Sequence, residues 1–167
     1  MTGVIEEIYT TPKGSAAMER VEEVRAVERR TVGRRSWGRR LAERGGIEGD
    51  CYREDTGYWT PYGDICGVTL IEGKDLDEIE REYGLRVKNG EHRRNIVTRG
   101  VRLGDLRKRR FRIGEVVLEY DRPRPPCKHI QDLTEPGMTR ALRGRGGICA
   151  RVVEGGRIRT RDEIVAL

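Results

Sequence analysis

Apolar residues in this chain come in short runs cut by glycine or proline, and that punctuation limits the fold more than any other feature. The runs cover residues 3–9, 65–71, 95–98, 116–120, 148–153, 157–159 and 163–166. Each has the length of a strand, and most are bounded by Gly or Pro. None approaches the roughly 20 apolar residues of a membrane span. The Gly155-Gly156 pair between Val152-Val153 and Arg157-Ile158-Arg159 permits positive φ at both turn positions, which predicts a closing hairpin. Gly104 and Gly114 punctuate strand edges in the same way. Two segments carry helical signals instead. In the first, Asp75 can cap with Glu78 three residues on, Leu76, Ile79 and Tyr83 recur at helical spacing, and Gly84 supplies the stop. In the second, Thr134 precedes Glu135-Pro136, Met138 and Leu142 lie four apart, and Gly144 follows. Many short strands and two brief helices predict a mainly β fold, a barrel rather than a βαβ layout. With 167 residues, the expectation is one domain, 1–167.

The opening Met-Thr-Gly-Val-Ile-Glu-Glu has acids where a signal peptide has basic and apolar regions, so the expected location is the cytoplasm, with no membrane association. The net charge of +6 rests on 29 arginines and only five lysines. The planar arginine fork suits phosphates and carboxylates. The densest basic patch is Arg29, Arg30, Arg34, Arg35, Arg39, Arg40 and Arg44, with Trp37 among them, a candidate exposed insertion at 29–44. One reading is a nucleic-acid surface, phosphates on the arginines and a base on the indole. The plainer reading is a solvated arm paired with Glu22, Glu23, Glu28 and Glu43. Val21, Val24 and Val27 suit a helix face while Val24, Ala26 and Glu28 alternate as in a strand, so 20–44 stays open between the two.

Four cysteines, Cys51, Cys66, Cys127 and Cys149, form no CxxC pair, and His92 and His129 are the only histidines, so no zinc site is expected. Reduced thiols are the default without secretory signals. Cys66 and Cys149 lie in apolar strand-like runs, where cysteine behaves as a small buried hydrophobe. Cys127 differs. It follows Arg122-Pro123-Arg124-Pro125-Pro126 and precedes Lys128-His129. Prolines keep it out of a strand interior, and cations favour its thiolate. A reactive thiol and an inert loop cysteine are both open on that ground.

Two further clusters draw notice. Glu91-His92-Arg93-Arg94-Asn95 opens one short run, with forks able to hold phosphate or carboxylate, or to pair ions along a strand edge. Gly45-Gly46-Ile47-Glu48-Gly49-Asp50-Cys51-Tyr52 precedes Tyr58-Trp59; its glycines suggest close backbone approach, Asp50 could fix an arginine or a turn, and Tyr52, Tyr58 and Trp59 could wall a pocket or fill the core.

Taken in order, these clusters resemble the MOSC family, named after the C-terminal part of eukaryotic molybdenum cofactor sulfurases. The similar pieces are Gly-Ile-Glu-Gly-Asp at 46–50, Val-Thr-Leu-Ile-Glu at 68–72 and Arg-Arg-Asn-Ile-Val-Thr-Arg-Gly-Val at 93–101. They continue with Phe111-Arg112-Ile113-Gly114-Glu115-Val116-Val117-Leu118, Pro126-Cys127, and the closing segment from Gly144 to Ile158. The resemblance implies a MOSC-like β-barrel with a site at Cys127. It implies either a sulfur carrier, with a persulfide on Cys127 passed to a metal centre, or a molybdenum-cofactor-dependent reductase of N-hydroxylated compounds, with Cys127 ligating molybdenum. Arg93, Arg94 and Asn95, with Asp50, are implied contacts to the phosphate or pterin of the molybdenum cofactor (molybdopterin). The pyridoxal phosphate domain of full-length sulfurases has no room here. Sulfur would come from a separate donor such as a cysteine desulfurase, electrons from a separate electron donor, and the acceptor would be a molybdenum enzyme or its cofactor. The chain departs from the family pattern at three places. Arg124-Pro125-Pro126-Cys127 replaces Cys-x-Pro-Cys, Cys51 stands after Gly-Asp where relatives carry Arg and becomes a candidate partner for Cys127, and Arg161-Asp162 replaces Gly-Asp in a turn.

Overall fold

The computed structural model of the chain describes residues 2–28, 30–34, 40–43, 45–51 and 66–167, the segments 30–34 and 40–43 as backbone. Thirteen strands are among them: β1 (Thr2–Thr10), β2 (Glu19–Val21), β3 (Glu23–Val27), β4 (Arg30–Arg34), β5 (Arg40–Glu43), β6 (Gly46–Ile47), β7 (Val68–Glu72), β8 (Ile96–Arg99), β9 (Arg110–Ile113), β10 (Val116–Pro123), β11 (Ile148–Glu154), β12 (Gly156–Arg159) and β13 (Glu163–Ala166). The helices are α1 (Gly73–Tyr83), α2 (Lys128–Leu133) and α3 (Met138–Leu142), with a 3₁₀ turn at Leu103–Leu106.

One sheet runs β13-β9-β10-β11-β7-β8-β1, and the pairing of β1 with β13 closes it into a seven-stranded barrel, with β2 hung on the end of β1. The fold is therefore mainly β, as expected. Closure leaves no strand edge in the ring open to stray pairing. Alternation does the rest. Residues of one parity, such as Ile5, Leu70, Ile96, Phe111, Ile113, Leu118 and Ile148, fill the interior. Residues of the other parity on β7 and β8, Ile71 and Val97, join Leu76, Ile79, Ile130, Met138 and Leu142 of the helices in a second apolar layer outside the ring. β3, β6 and β12 form a three-stranded sheet whose Val24, Ala26, Ile47 and Ile158 extend the interior core.

Several expectations are corrected. β7 and β8 pair in parallel, joined by α1, so the barrel holds one βαβ unit. Asp75 lies in the first turn of α1 rather than at its cap, which is Glu72, and Glu72 makes no side-chain cap bond because its Oε1 accepts from Leu103 N at 2.8 Å. Gly155-Gly156 does not fold β12 back on β11. β12 crosses to pair with β3, and the glycines admit that crossing, since a Cβ on Gly155 would lie 2.8 Å from Ala26 O. The described parts of the 20–44 stretch are strand apart from Glu22 and Glu28, with β4 and β5 pairing as a hairpin. Glu22 and Glu23 serve β12 instead of the basic arm: Thr160 Oγ1 donates to Glu22 at 2.7 Å, and Arg159 Nε lies 2.5 Å from Glu23. Arg29, Arg35, Trp37, Arg39, Arg44, Tyr52, Tyr58 and Trp59 lie outside the described residues. Cys66 and Cys149 are buried, as expected, but joined in a disulfide across 83 residues of chain. Cys51 is a buried thiol and Cys127 an exposed one, and no disulfide joins them.

Candidate functional site

Cys127 ends a loop whose approach is pinned by main-chain contacts. The last residue of β10, Pro123, pairs with Ile148, and Arg124 N donates to Gly147 O at 2.8 Å. The two strands come this close because residues 146 and 147 lack side chains. A Cβ on Gly146 would sit 2.1 Å from Arg124 O, and one on Gly147, at φ 80°, would sit 1.9 Å from Leu70 O. Pro125 and Pro126 then offer no N–H to any ladder, and the chain emerges at Cys127, exposed in extended conformation. Thr139 Oγ1 of α3 donates to Cys127 O at 3.2 Å, tying the residue to the helical layer. The cations flanking it in sequence are engaged: Lys128 Nζ binds both oxygens of Asp132 at 2.9 and 2.8 Å, and Arg122 pairs with Asp121. His129 Nε2 lies 3.2 Å from Ser15 Oγ, which brings the β1–β2 loop beside α2.

Arg94 ties that loop to the 92–95 turn. Its side chain is buried, with Nε donating to Gly146 O at 2.7 Å, Nη1 to His92 O at 3.0 Å and Nη2 reaching Arg124 O at 3.4 Å. A charged fork donating to main-chain carbonyls satisfies acceptors that would otherwise be stranded in the interior. Arg93 turns the other way. Its φ of 58° reverses the chain, its N–H donates to Gly90 O at 2.9 Å, and its guanidinium donates to Ala16 O in the β1–β2 loop. Asn95 is fully buried, its Oδ1 accepting from Thr69 N and Oγ1 at 3.1 and 2.9 Å and its Nδ2 donating to Tyr9 O at 3.2 Å. Asp50 is buried as well, accepting from Thr11 N at 2.9 Å, while Cys51 N donates to Thr11 O at 2.6 Å. The structure thus brings Arg93, Arg94, Asn95 and Asp50 around one scaffold formed by the β1–β2 loop, the 92–95 turn and the 144–147 turn, with Cys127 at its exposed margin.

His92 lies in the 91–95 cluster that the sequence singled out, but its own place there was not read from the sequence. It is fully buried, its ring set edge-on to Tyr9 with centroids 5.0 Å apart, and Nδ1 accepts from Arg94 N at 3.0 Å. Burial first, and then the charges of Arg94 and Arg93, push its pKa down to about 3. The ring is therefore neutral with its proton on Nε2, an atom with no hydrogen-bond partner. Its position next to two arginines was the available signal, since a charged imidazole there would be repelled. At the Gly144 end of the scaffold, a cleft of about 510 Å³ is lined by Glu72, Lys74, Asp75, Arg102, Gly104 and Gly144. Burial, with Glu72 and Glu78 nearby, raises Asp75 to about 6.

Among the described residues no helix is long and apolar enough to cross a membrane. The MOSC domain family model matches residues 58–165. The fold is similar to the crystal structure of the YuaD protein from Bacillus subtilis, at 19% identity over 98% of this chain and 94% of that one, with a TM-score of 0.75. It is also similar to YiiM from Escherichia coli, at 16% identity over 100% of this chain and 70% of that one, with a TM-score of 0.66. YiiM from Geobacillus stearothermophilus matches at 14% identity over 100% and 75%, with a TM-score of 0.63. At these identities the likeness is one of fold. No curated protein matches in sequence.

Proposed function

The chain belongs to the MOSC domain family, and from that premise we propose that it works through Cys127, carrying sulfur as a persulfide to a molybdenum-cofactor metal centre. The family is tied to molybdenum cofactor binding and sulfur chemistry. The observation that carries the finer reading is that Cys127 is the exposed free thiol, held at the end of a loop that Arg94, Gly147 and Thr139 fix in place. Reactive thiols sit where a partner can reach them, whereas Cys51 is buried.

In this reading the Cys127 thiolate attacks the outer sulfur of a persulfide on a donor such as a cysteine desulfurase. The new S–S bond forms as the donor's breaks, and the donor leaves as a thiolate. Among the described residues no group of three His, Cys, Asp or Glu could hold a bare metal ion. A lone exposed thiol fits a metal whose other ligands arrive with it, as those of a pterin-bound molybdenum do. When bound, that cofactor supplies a soft metal able to accept sulfur. The anionic tail of the cofactor is assigned to the 93–95 turn, with half-buried Arg93 nearest the surface and Arg94, Asn95 and Asp50 holding the surrounding backbone.

The test is intact mass and metal analysis on anaerobically purified wild type and Cys127→Ala. One added sulfur in a metal-free wild type, absent from the variant, is the expected outcome. Persulfide loading retained by the variant overturns it. Stoichiometric molybdenum and pterin lost in the variant would instead assign Cys127 as the metal ligand of a reductase of N-hydroxylated compounds.

A further inference from the structure

Exposed arginines in this protein are commonly paired: Arg20, Arg99, Arg110, Arg151 and Arg159 each lie within ion-pair distance of a carboxylate. One strip is not. Residues 102–112 hold six cations against a single acid, Asp105, a net +5. Of these, Arg102, Arg107, Lys108, Arg109 and Arg112 are exposed and have no carboxylate partner among the described residues. Unpaired like charges repel one another, so five gathered on one strip cost stability that an anionic partner would relieve.

The strip is rigidly displayed. Leu103 and Leu106 of the 3₁₀ turn are buried, Arg107 N donates to Gly104 O at 3.3 Å, and Arg109 N donates to Leu106 O at 2.9 Å. Lys108, between them, holds a φ of 62°, the left-handed region, which presents its side chain at the tip of the turn. The strip also adjoins the strand that leads to the thiol. Tyr120 N donates to Arg109 O at 3.0 Å, and Cys127 follows Tyr120 by seven residues, which span at most about 25 Å.

We propose that the strip Arg102, Arg107, Lys108, Arg109 and Arg112 docks an acidic face of the protein that exchanges sulfur with Cys127. This rests on the sulfur-carrier reading, in which two protein thiols must meet directly. Complementary charge beside the reacting group steers such an encounter and fixes its orientation. A protein is favoured over nucleic acid because the strip offers nothing for a base to stack on: its one aromatic, Phe111, is fully buried.

The experiment uses a fluorescent 15-residue oligoglutamate peptide as the acidic probe and a DNA duplex of equal charge as the rival. Wild type is compared with R107E/K108E/R109E. The expected results are peptide binding that weakens at least tenfold in the variant and again on raising salt, and slower alkylation of Cys127 when the peptide is bound. Peptide binding unchanged in the variant, no protection of Cys127, or duplex binding at least tenfold tighter than the peptide would each overturn the proposal. Loading of Cys127 by inorganic polysulfide, read by intact mass in both proteins, reports on the sulfur-carrier reading alone, so the two can fail separately.

Discussion

At the scale of single residues, the basic pair before β8 shows how little an arginine's neighbours in sequence say about its work. The fork chemistry of Arg93 and Arg94 was legible, because guanidinium planes bind oxygen wherever they meet it. What they bind was not, because Gly146 and Arg124 are 52 and 30 residues away from Arg94. Removing this side chain should therefore act on stability before it acts on any ligand. Arg94→Ala strands the carbonyls of Gly146 and His92, each a buried acceptor whose loss of a charged donor costs about 1–3 kcal/mol. A fall of roughly 2–4 kcal/mol in unfolding free energy by urea titration is expected, with faster alkylation of Cys127 as its loop loosens. Arg94→Lys should recover only part, since one ammonium cannot serve carbonyls on three segments. A loss below about 0.5 kcal/mol in the alanine variant would show that the guanidinium bonds do not hold the loop.

At the scale of elements, the disulfide joins the chain just before β7 to Cys149 in β11, where Cys149 also pairs with Thr69. Closing 83 residues restricts the unfolded chain, and bridges of this kind contribute about 2–4 kcal/mol. Cys66→Ala/Cys149→Ala should lose that much in denaturant titration while keeping a folded barrel. With Cys66 3% and Cys149 0% exposed, the native protein should resist dithiothreitol until it unfolds. Full reduction in the native state, followed by mass, would contradict that protection. The strands themselves were legible, because alternation and glycine punctuation are local. The bridge was not, since two cysteines in apolar runs look the same paired or free. The partner of β12 was hidden for a similar reason: a Gly-Gly pair permits a hairpin or a close crossing, and only Ala26 and Glu115 packed against it decide which. The turn at Arg161 was read correctly as a turn, and its φ of 72° explains why glycine is common there.

At the scale of the whole molecule, two buried or half-buried groups set opposing slopes on stability against pH. His92 titrates at about 6.5 when unfolded and about 3 when folded. Below pH 6.5 the unfolded state binds the extra proton, so stability falls on acidification by up to about 1.4 kcal/mol per pH unit. Asp75 is the reverse case, at 3.8 unfolded and about 6 folded. Between those values the native state binds the extra proton, so stability falls as pH rises. Because Asp75 is about half exposed, solvent screening reduces its effect to about 1 kcal/mol. Asp77 and Glu119 are held below their ordinary 3.8 and 4.5 by hydrogen bonds, chiefly from Arg99 and Arg110, so their losses begin only as pH falls below about 4.5. The window from pH 4.5 to 6 thus isolates the opposed pair. Asp75→Asn should be about 1 kcal/mol more stable than wild type at pH 7, equal to it near pH 4, and steeper between. His92→Asn keeps an oxygen able to accept from the N–H two residues on, so the turn can survive while the imidazole proton is gone. That variant should be less stable at pH 7 for its lost packing, yet gain slightly in stability on going from pH 6 to 4.5. Urea midpoints across pH 4–7 for the three proteins decide it. A His92→Asn profile that keeps the wild-type acid loss would mean that the force unfolding this barrel in acid comes from elsewhere than the imidazole beneath Arg94.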